Sequence, residues 1–390
     1  MNRRAFFEEL LVSTAGAAGA AAWVRAGARA RRPADDGLLV YVGTYTDDKR
    51  REGIFRYRVD PRTGAWRPAG ATDAGPNPSF LALHPRGRVL YAVNEVEQYE
   101  GAASGAVSAF AVDPATGDLS LLGRRATGGG APCYVSVDRA GRFALVANYV
   151  GGSVAAFPLG ADGALGTTPQ LLRHAGSGPR ADRQEKPHAH SIVPDPSDRF
   201  ALSADLGTDQ ILVYALGGGA APLAPASSVS LRPGAGPRHL AFHPAGRFVY
   251  VTDELDSTVG VFRFDPHTGA LAPVQTVPAV SEPGAGERFT ADLHFAPSGR
   301  FLYASVRGED VLAVFAVDQA TGALTPVQRV STGGHWPRNF GLDPSGRLLY
   351  VANQRSDSIV GFRVDPASGR LTPSGVRVEL AAPVCVRFAG

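Results

Sequence analysis

One motif returns six times along the chain, and it constrains the fold more than any other feature. Each copy is a polar or proline-bearing turn, then usually Gly-Arg, then an apolar strand. The copies read HPRGRVLYAVNE from His84, DRAGRFALVANY from Asp138, DPSDRFALSADL from Asp195, HPAGRFVYVTDE from His243, APSGRFLYASVR from Ala296 and DPSGRLLYVANQ from Asp343. The turn positions Gly87, Gly141, Asp198, Gly246, Gly299 and Gly346 lie 54, 57, 48, 53 and 47 residues apart, with Asp198 standing where the other copies have Gly. A period near fifty built from short strands and tight turns predicts a β-propeller. In such a fold, equivalent positions of every blade surround one central funnel.

A second turn recurs between the copies: DPRTGAW at Asp60, DPATGDL at Asp113, DPHTGAL at Asp265, DQATGAL at Asp318 and DPASGRL at Asp365. Asp first and Gly last suit a type I turn whose final residue takes positive φ. Each repeat therefore reads as four strands, a to d. The ends carry partial repeats. LLVYVGTYT from Leu38 looks like strand b, and APVCVRF from Ala382 looks like strand a. One strand from the tail plus three from the start predicts a seventh blade, which removes exposed sheet edges. The expected class is an all-β, seven-bladed β-propeller over residues 38–390, closed by one C-terminal strand joining three N-terminal strands.

Residues 1–30 break the pattern. Asn2-Arg3-Arg4-Ala5-Phe6-Phe7 resembles a twin-arginine export motif. A mildly apolar stretch from Leu10 to Val24 follows, then Ala28-Arg29-Ala30, a small-x-small cleavage site. About fifteen apolar residues are too few for stable membrane insertion. The expectation is an exported protein, periplasmic or extracellular, whose partner during secretion is the twin-arginine machinery. Residues 1–32 carry a net +4, which leaves −1 for the rest of a chain whose total is +3. The basic balance belongs to the leader and gives no reason to expect nucleic-acid binding. Cys133 and Cys385 fall on inner strands of blades that are not neighbours, which predicts two buried free thiols. No Cys/His spacing reads as a zinc site.

Strands a and b form a hairpin, so the start of a and the end of b share one face. Aligning blades on the hairpin turn gives two columns there. The strand-a column is Ser79, Cys133, His190, Arg238, Ala291, Arg338 and Val384. The strand-b column is Tyr45, Glu95, Tyr149, Leu206, Glu254, Arg307 and Gln354. Ionisable groups gathered at a funnel are costly to desolvate without partners, and predict an anion-binding or hydrolytic site. His190, Arg238, Glu254 and Arg307 are the candidate catalytic residues. His188, Asp205, His239, Asp292, His294, Arg338 and Asn339 are the candidate substrate-binding residues. Opening a lactone needs water activation, for which His190 or Glu254 is suited, and oxyanion stabilisation by Arg238, Arg307 or Arg338. No G-x-S-x-G elbow is present.

Asn94, Asn148, Asp205, Asp253 and Asn353 form a further column. They could ring a calcium ion, but such residues more often bond backbone groups at strand ends, and no metal or cofactor is expected. Two insertions, Val96 to Gly105 and His174 to His188, are expected on the funnel face, where loops shape access.

The segments KPHAHSIVPDPSDRFALSADLGTDQILVY, GAGPRHLAFHPAGRFVYVTDELDSTVGVF, ADLHFAPSGRFLYASVRGEDVLAVF and GHWPRNFGLDPSGRLLYVANQRSDSIVGF resemble the lactonase family. That family includes the propeller-type 6-phosphogluconolactonases and the carboxy-muconate cyclases. The resemblance implies seven blades, lactone hydrolysis without a metal, and His190, Arg238, Glu254 and Arg307 at the funnel mouth. One departure is Val306, where relatives usually show Asn. Another is the leader, since a phosphorylated cytosolic lactone would rarely be met outside the cell. A non-catalytic propeller binding module and a metal-dependent propeller lactonase are the competing readings.

Overall fold

The structure is a computed structural model that describes residues 37–46, 52–282 and 287–389. The export leader expected over residues 1–30 lies outside the described residues. Among them the chain forms seven antiparallel four-stranded sheets. Six are built from consecutive strands. The seventh has the order Pro383–Phe388, Leu38–Thr44, Glu52–Val59, Trp66–Asp73, so the last strand of the chain pairs with the first. This is the closure expected from the partial repeats.

The strand positions differ in burial in a way the residues explain. Strand b is covered by neighbouring blades on both faces. Val89–Asn94, Phe143–Asn148, Phe200–Asp205, Phe248–Asp253 and Leu348–Asn353 are buried at every residue. Their continuous apolar runs, rather than alternation, are the sequence mark of that environment. Strand d lies outermost: Trp66–Asp73 and Leu223–Ser230 leave most residues exposed.

One tyrosine per strand b ties most blades to the next. The hydroxyls of Tyr41, Tyr91, Tyr250, Tyr303 and Tyr350 donate to the carbonyls of Gly117, Gly163, Gly322, Gly369 and Gly64. Tyr350 reaches across the chain ends at 2.7 Å and so joins the last blade to the first. Its acceptor closes the turn begun by Asp60, whose Oδ1 accepts from the amides of Arg62 and Thr63, with Gly64 at φ 80°. Asp198 takes the left-handed conformation at φ 54°, which Asp tolerates better than most residues. Its carboxylate caps the neighbouring blade's turn at the amides of Arg139 and Ala140. That contact accounts for the one copy without Gly.

The a–b hairpins carry irregularities that matter for function. Register shifts fall between Pro132 and Tyr134, Ala189 and Ser191, Pro237 and Leu240, Thr290 and Leu293, and Pro337 and Asn339. The residues inside these bulges include Cys133, His190, Arg238, Ala291 and Arg338, members of the aligned strand-a column. A bulge re-aims the side chain it carries. Here it occurs at the mouth of the funnel, blade after blade.

Candidate active site

The two columns converge on a cavity of about 230 Å³ lined by Tyr45, Glu95, Cys133, Tyr149, Arg183, His190, Glu254, Arg307 and Arg338. Every blade contributes at least one of these side chains. All but Arg183 belong to the aligned columns.

Glu254 is the hub, and it is 3% exposed. Its Oε2 lies 2.8 Å from Arg238 Nε, 2.9 Å from Arg307 Nη2 and 3.9 Å from His190 Nε2. Its Oε1 accepts from Arg183 Nη2 at 2.7 Å. Burial pushes the carboxyl pKa up, but Arg307, Arg238, His190 and Arg183 outweigh it, and the group sits well below the usual carboxylate range. Glu254 is therefore an ionised counter-charge and a weak base. His190 moves the other way. Burial and then Arg238 hold its imidazole well below its ordinary pKa against the pull of Glu254, so it is neutral at pH 7. A neutral imidazole can accept a proton. Both candidate bases read from the sequence are weakened by their surroundings, and His190 is the one that stays neutral with a carboxylate nearby to stabilise its protonated form.

The guanidinium groups are held differently. Arg238 lies behind the cavity lining. It donates to the Ala291 carbonyl at 2.7 Å and contacts His239 Nε2 at 3.0 Å. Arg307 lies beside an aromatic pair, 5.6 Å from the Phe289 centroid and 5.5 Å from that of Trp336, and burial lowers its pKa to about 9, which leaves it charged at pH 7. Arg338 lies over Tyr45 and 3.8 Å from Glu95. Glu95 in turn accepts from Tyr45 at 2.9 Å and Ser79 at 2.5 Å.

The candidate substrate-binding residues separate into groups. Arg338 lines the cavity. His239 and Asn339 edge a small void beside it and share the buried carboxylate of Asp292. Asp292 lies 2.7 Å from His239 Nδ1, 2.8 Å from His294 Nε2 and 2.5 Å from Asn339 Nδ2. Because Arg238 donates to His239 Nε2, the proton of His239 sits on Nδ1, toward Asp292. This chain braces Arg238 from behind, and Asp292 and His294 do not line the cavity. Asp205 is placed at a strand end, where it accepts from the His188 amide and bonds His174. His188 stacks on Tyr149 with ring centroids 4.5 Å apart and contacts Glu185, also outside the cavity lining. Asp205 stands one residue before Leu206 of the strand-b column, and a one-residue step along a strand turns a side chain to the other face; His188 stands two residues before His190, ahead of the strand that begins at Ala189.

The Asn/Asp column bonds backbone and nearby hydroxyls. Asn94 donates to the carbonyls of Ala74 and Pro76, Asn148 to Thr127 and Asn353 to Thr332. Among the described residues no group of three or more His, Cys, Asp or Glu is placed to hold a metal ion. Both cysteines are buried and free. Sequence reasoning missed Arg183 as a site residue. The signal available was only that it sits in the 174–188 insertion. Trp336 was read within WPRNF without a role; it covers Arg307. The Val96–Gly105 insertion supplies no lining residue to the cavity.

A family model described as a lactonase with a 7-bladed β-propeller matches residues 39–388. The chain belongs to this lactonase family. It is 38% identical over 304 residues to the 6-phosphogluconolactonase of Bacillus subtilis (strain 168), covering 78% of this chain and 84% of that one. The 6-phosphogluconolactonase of Formosa agariphila is 34% identical over 309 residues, covering 78% and 86%. The solved structure of the periplasmic gluconolactonase of Pseudomonas aeruginosa matches this lactonase-family chain with a TM-score of 0.84 at 37% identity, over 90% of this chain and 98% of that one.

Proposed function

We propose that the chain is an exported hydrolase that opens a sugar lactone by water attack on the ester carbonyl. The observation that carries this reading is a neutral imidazole 3.9 Å from an ionised, guanidinium-bound carboxylate, inside a cavity of about 230 Å³. The volume is below the range of roughly 300–1,000 Å³ usual for drug-sized ligands and suits a single sugar ring. His190 Nε2 accepts a proton from water as the oxygen adds to the carbonyl carbon. Glu254, whose Oε2 lies 3.9 Å from that same Nε2, stabilises the imidazolium that results through its negative charge. Arg307 and Arg338 face the developing oxyanion. Collapse of the tetrahedral intermediate breaks the ring C–O bond, and His190 returns its proton to the leaving alkoxide. The relatives named 6-phosphogluconolactonase and gluconolactonase support the substrate class. The relative named periplasmic supports export, together with the Arg3-Arg4 leader.

The test is a panel of aldonolactones with and without a 6-phosphate, followed by pH-stat titration in the presence of EDTA. The expected result is chelator-resistant hydrolysis that falls roughly 10²–10⁴-fold in His190→Ala. No hydrolysis above background by the unmodified protein would sink the enzyme reading and leave a binding module.

A further inference from the structure

The cavity holds more positive charge than its own carboxylates balance. Arg183, Arg307 and Arg338 line it and Arg238 stands behind, against Glu95 and Glu254. Buried charge without a counter-charge is costly, and a bound anion relieves it. The four guanidiniums differ in how firmly they are held. Side-chain exposure is 2% for Arg238, 6% for Arg307, 19% for Arg338 and 28% for Arg183. Arg183 is also the only one not carried by a blade strand. The 174–188 insertion presents it, and that insertion is anchored one residue later. Gln184 is fully buried and donates to the Leu206 carbonyl and Asp209, both at 2.8 Å. The backbone at Arg183 is thus fixed while its side chain reaches over the cavity mouth to Glu254 Oε1. Among the described residues Arg183 is the donor on that oxygen, whereas Oε2 takes Arg238 and Arg307.

We propose that Arg183 is the residue that selects lactones bearing an anionic substituent, by leaving Glu254 Oε1 to pair with that phosphate or carboxylate at the mouth of the cavity. The proposal rests on the lactonase reading above and adds a selector to it. An arriving anion offers Arg183 a partner equivalent to the carboxylate it gives up, and a neutral sugar offers none. Release has a second consequence. The groups facing Glu254 are Arg183 from the insertion, Arg238, Arg307 and Arg338 from three blades, and His190 and Tyr149 from two more. With Arg183 drawn off, the negative charge of Glu254 is less compensated, and it better stabilises protonated His190. Charged substrates therefore improve the base they use.

The experiment compares kcat/KM for glucono-1,5-lactone and its 6-phosphate in the full chain and in Arg183→Gln and Arg183→Lys. Loss of a charge-assisted hydrogen bond predicts that the preference for the phosphorylated lactone falls roughly 10- to 100-fold in Arg183→Gln. Arg183→Lys should restore part of it. The acid limb of the kcat/KM profile should move to higher pH in Arg183→Gln, because removing a cation raises the proton affinity of both His190 and Glu254. An unchanged preference and an unchanged limb overturn the proposal while leaving the lactonase reading intact. If the unmodified protein opens neither lactone, the lactonase reading fails, and calorimetry decides the selector by itself. Glucitol 6-phosphate must then bind more weakly to Arg183→Gln while uncharged glucitol does not, and equal weakening of both overturns it.

Discussion

Asp253 shows how a single residue can depart from its own repeat. Three equivalent positions carry Asn, whose amide donates to a backbone carbonyl. Asp253 has no such donor when ionised. Its Oδ2 accepts from Thr258 at 3.0 Å, its Oδ1 is buried without a partner, and burial, then Asp256, raise its pKa well above the ordinary carboxyl range. A buried acid whose folded pKa is raised costs stability as pH climbs above its unfolded value, because the unfolded chain ionises first. Asp253→Asn should therefore stabilise the fold by about 1 kcal/mol near neutral pH. The gain should shrink toward pH 4, which urea titrations at the two pH values would show. A constant gain would mean that Asp253 is ionised in the native state. Site residues were legible at this scale to differing degrees. His190, Glu254, Arg307 and Arg338 were readable because a repeat lets each blade report the orientation of the others. Arg183 was not, because an insertion has no equivalent in the other blades to align with.

At the scale of elements, the turn-to-strand tether explains why the repeat keeps a tyrosine in strand b. Four hydroxyls reach the Asp-to-Gly turn of the adjacent blade and that of Tyr91 reaches Gly163 in the turn begun by Gly160, and each satisfies a carbonyl that packing would otherwise strand. Tyr350→Phe should cost about 1–2 kcal/mol, the penalty of one buried unsatisfied acceptor. Tyr250→Phe should cost the same, since Tyr250 makes the equivalent bond at 2.6 Å in mid-ring. Matched losses in chemical denaturation would show that the ring unfolds as a unit. A much larger loss for Tyr350 would mark the closing blade as a separate cooperative element. The bulges were not legible. A register shift depends on how two strands meet, and neither strand's own sequence states it. Yet the bulges are what turn the strand-a column into the cavity.

For the whole molecule, closure bears on the export proposed above. The first sheet is completed by Pro383–Phe388, the last strand to be made. The ring cannot close until Pro383–Phe388 has been made, which suits the proposed route, one that moves folded proteins. Replacing both Arg3 and Arg4 by Lys should leave active enzyme in the cytoplasm and strip it from the exported fraction, measured by lactone hydrolysis after cell fractionation. Undiminished export of the double variant would rule out the twin-arginine route. The sequence alone determined the architecture, because a period near fifty, two recurring turns and half-repeats at each end admit one closed ring. It also gave the columns from which eight of the nine cavity-lining residues come, because the repeat lets equivalent strand positions be counted blade by blade. Only the tertiary structure decided which charged groups touch. Glu254 meets guanidiniums from its own blade, the next blade and an insertion some seventy residues earlier, and the protonation of His190 follows from that meeting. Charge and burial act through distance in space, which the order of residues along a chain does not record.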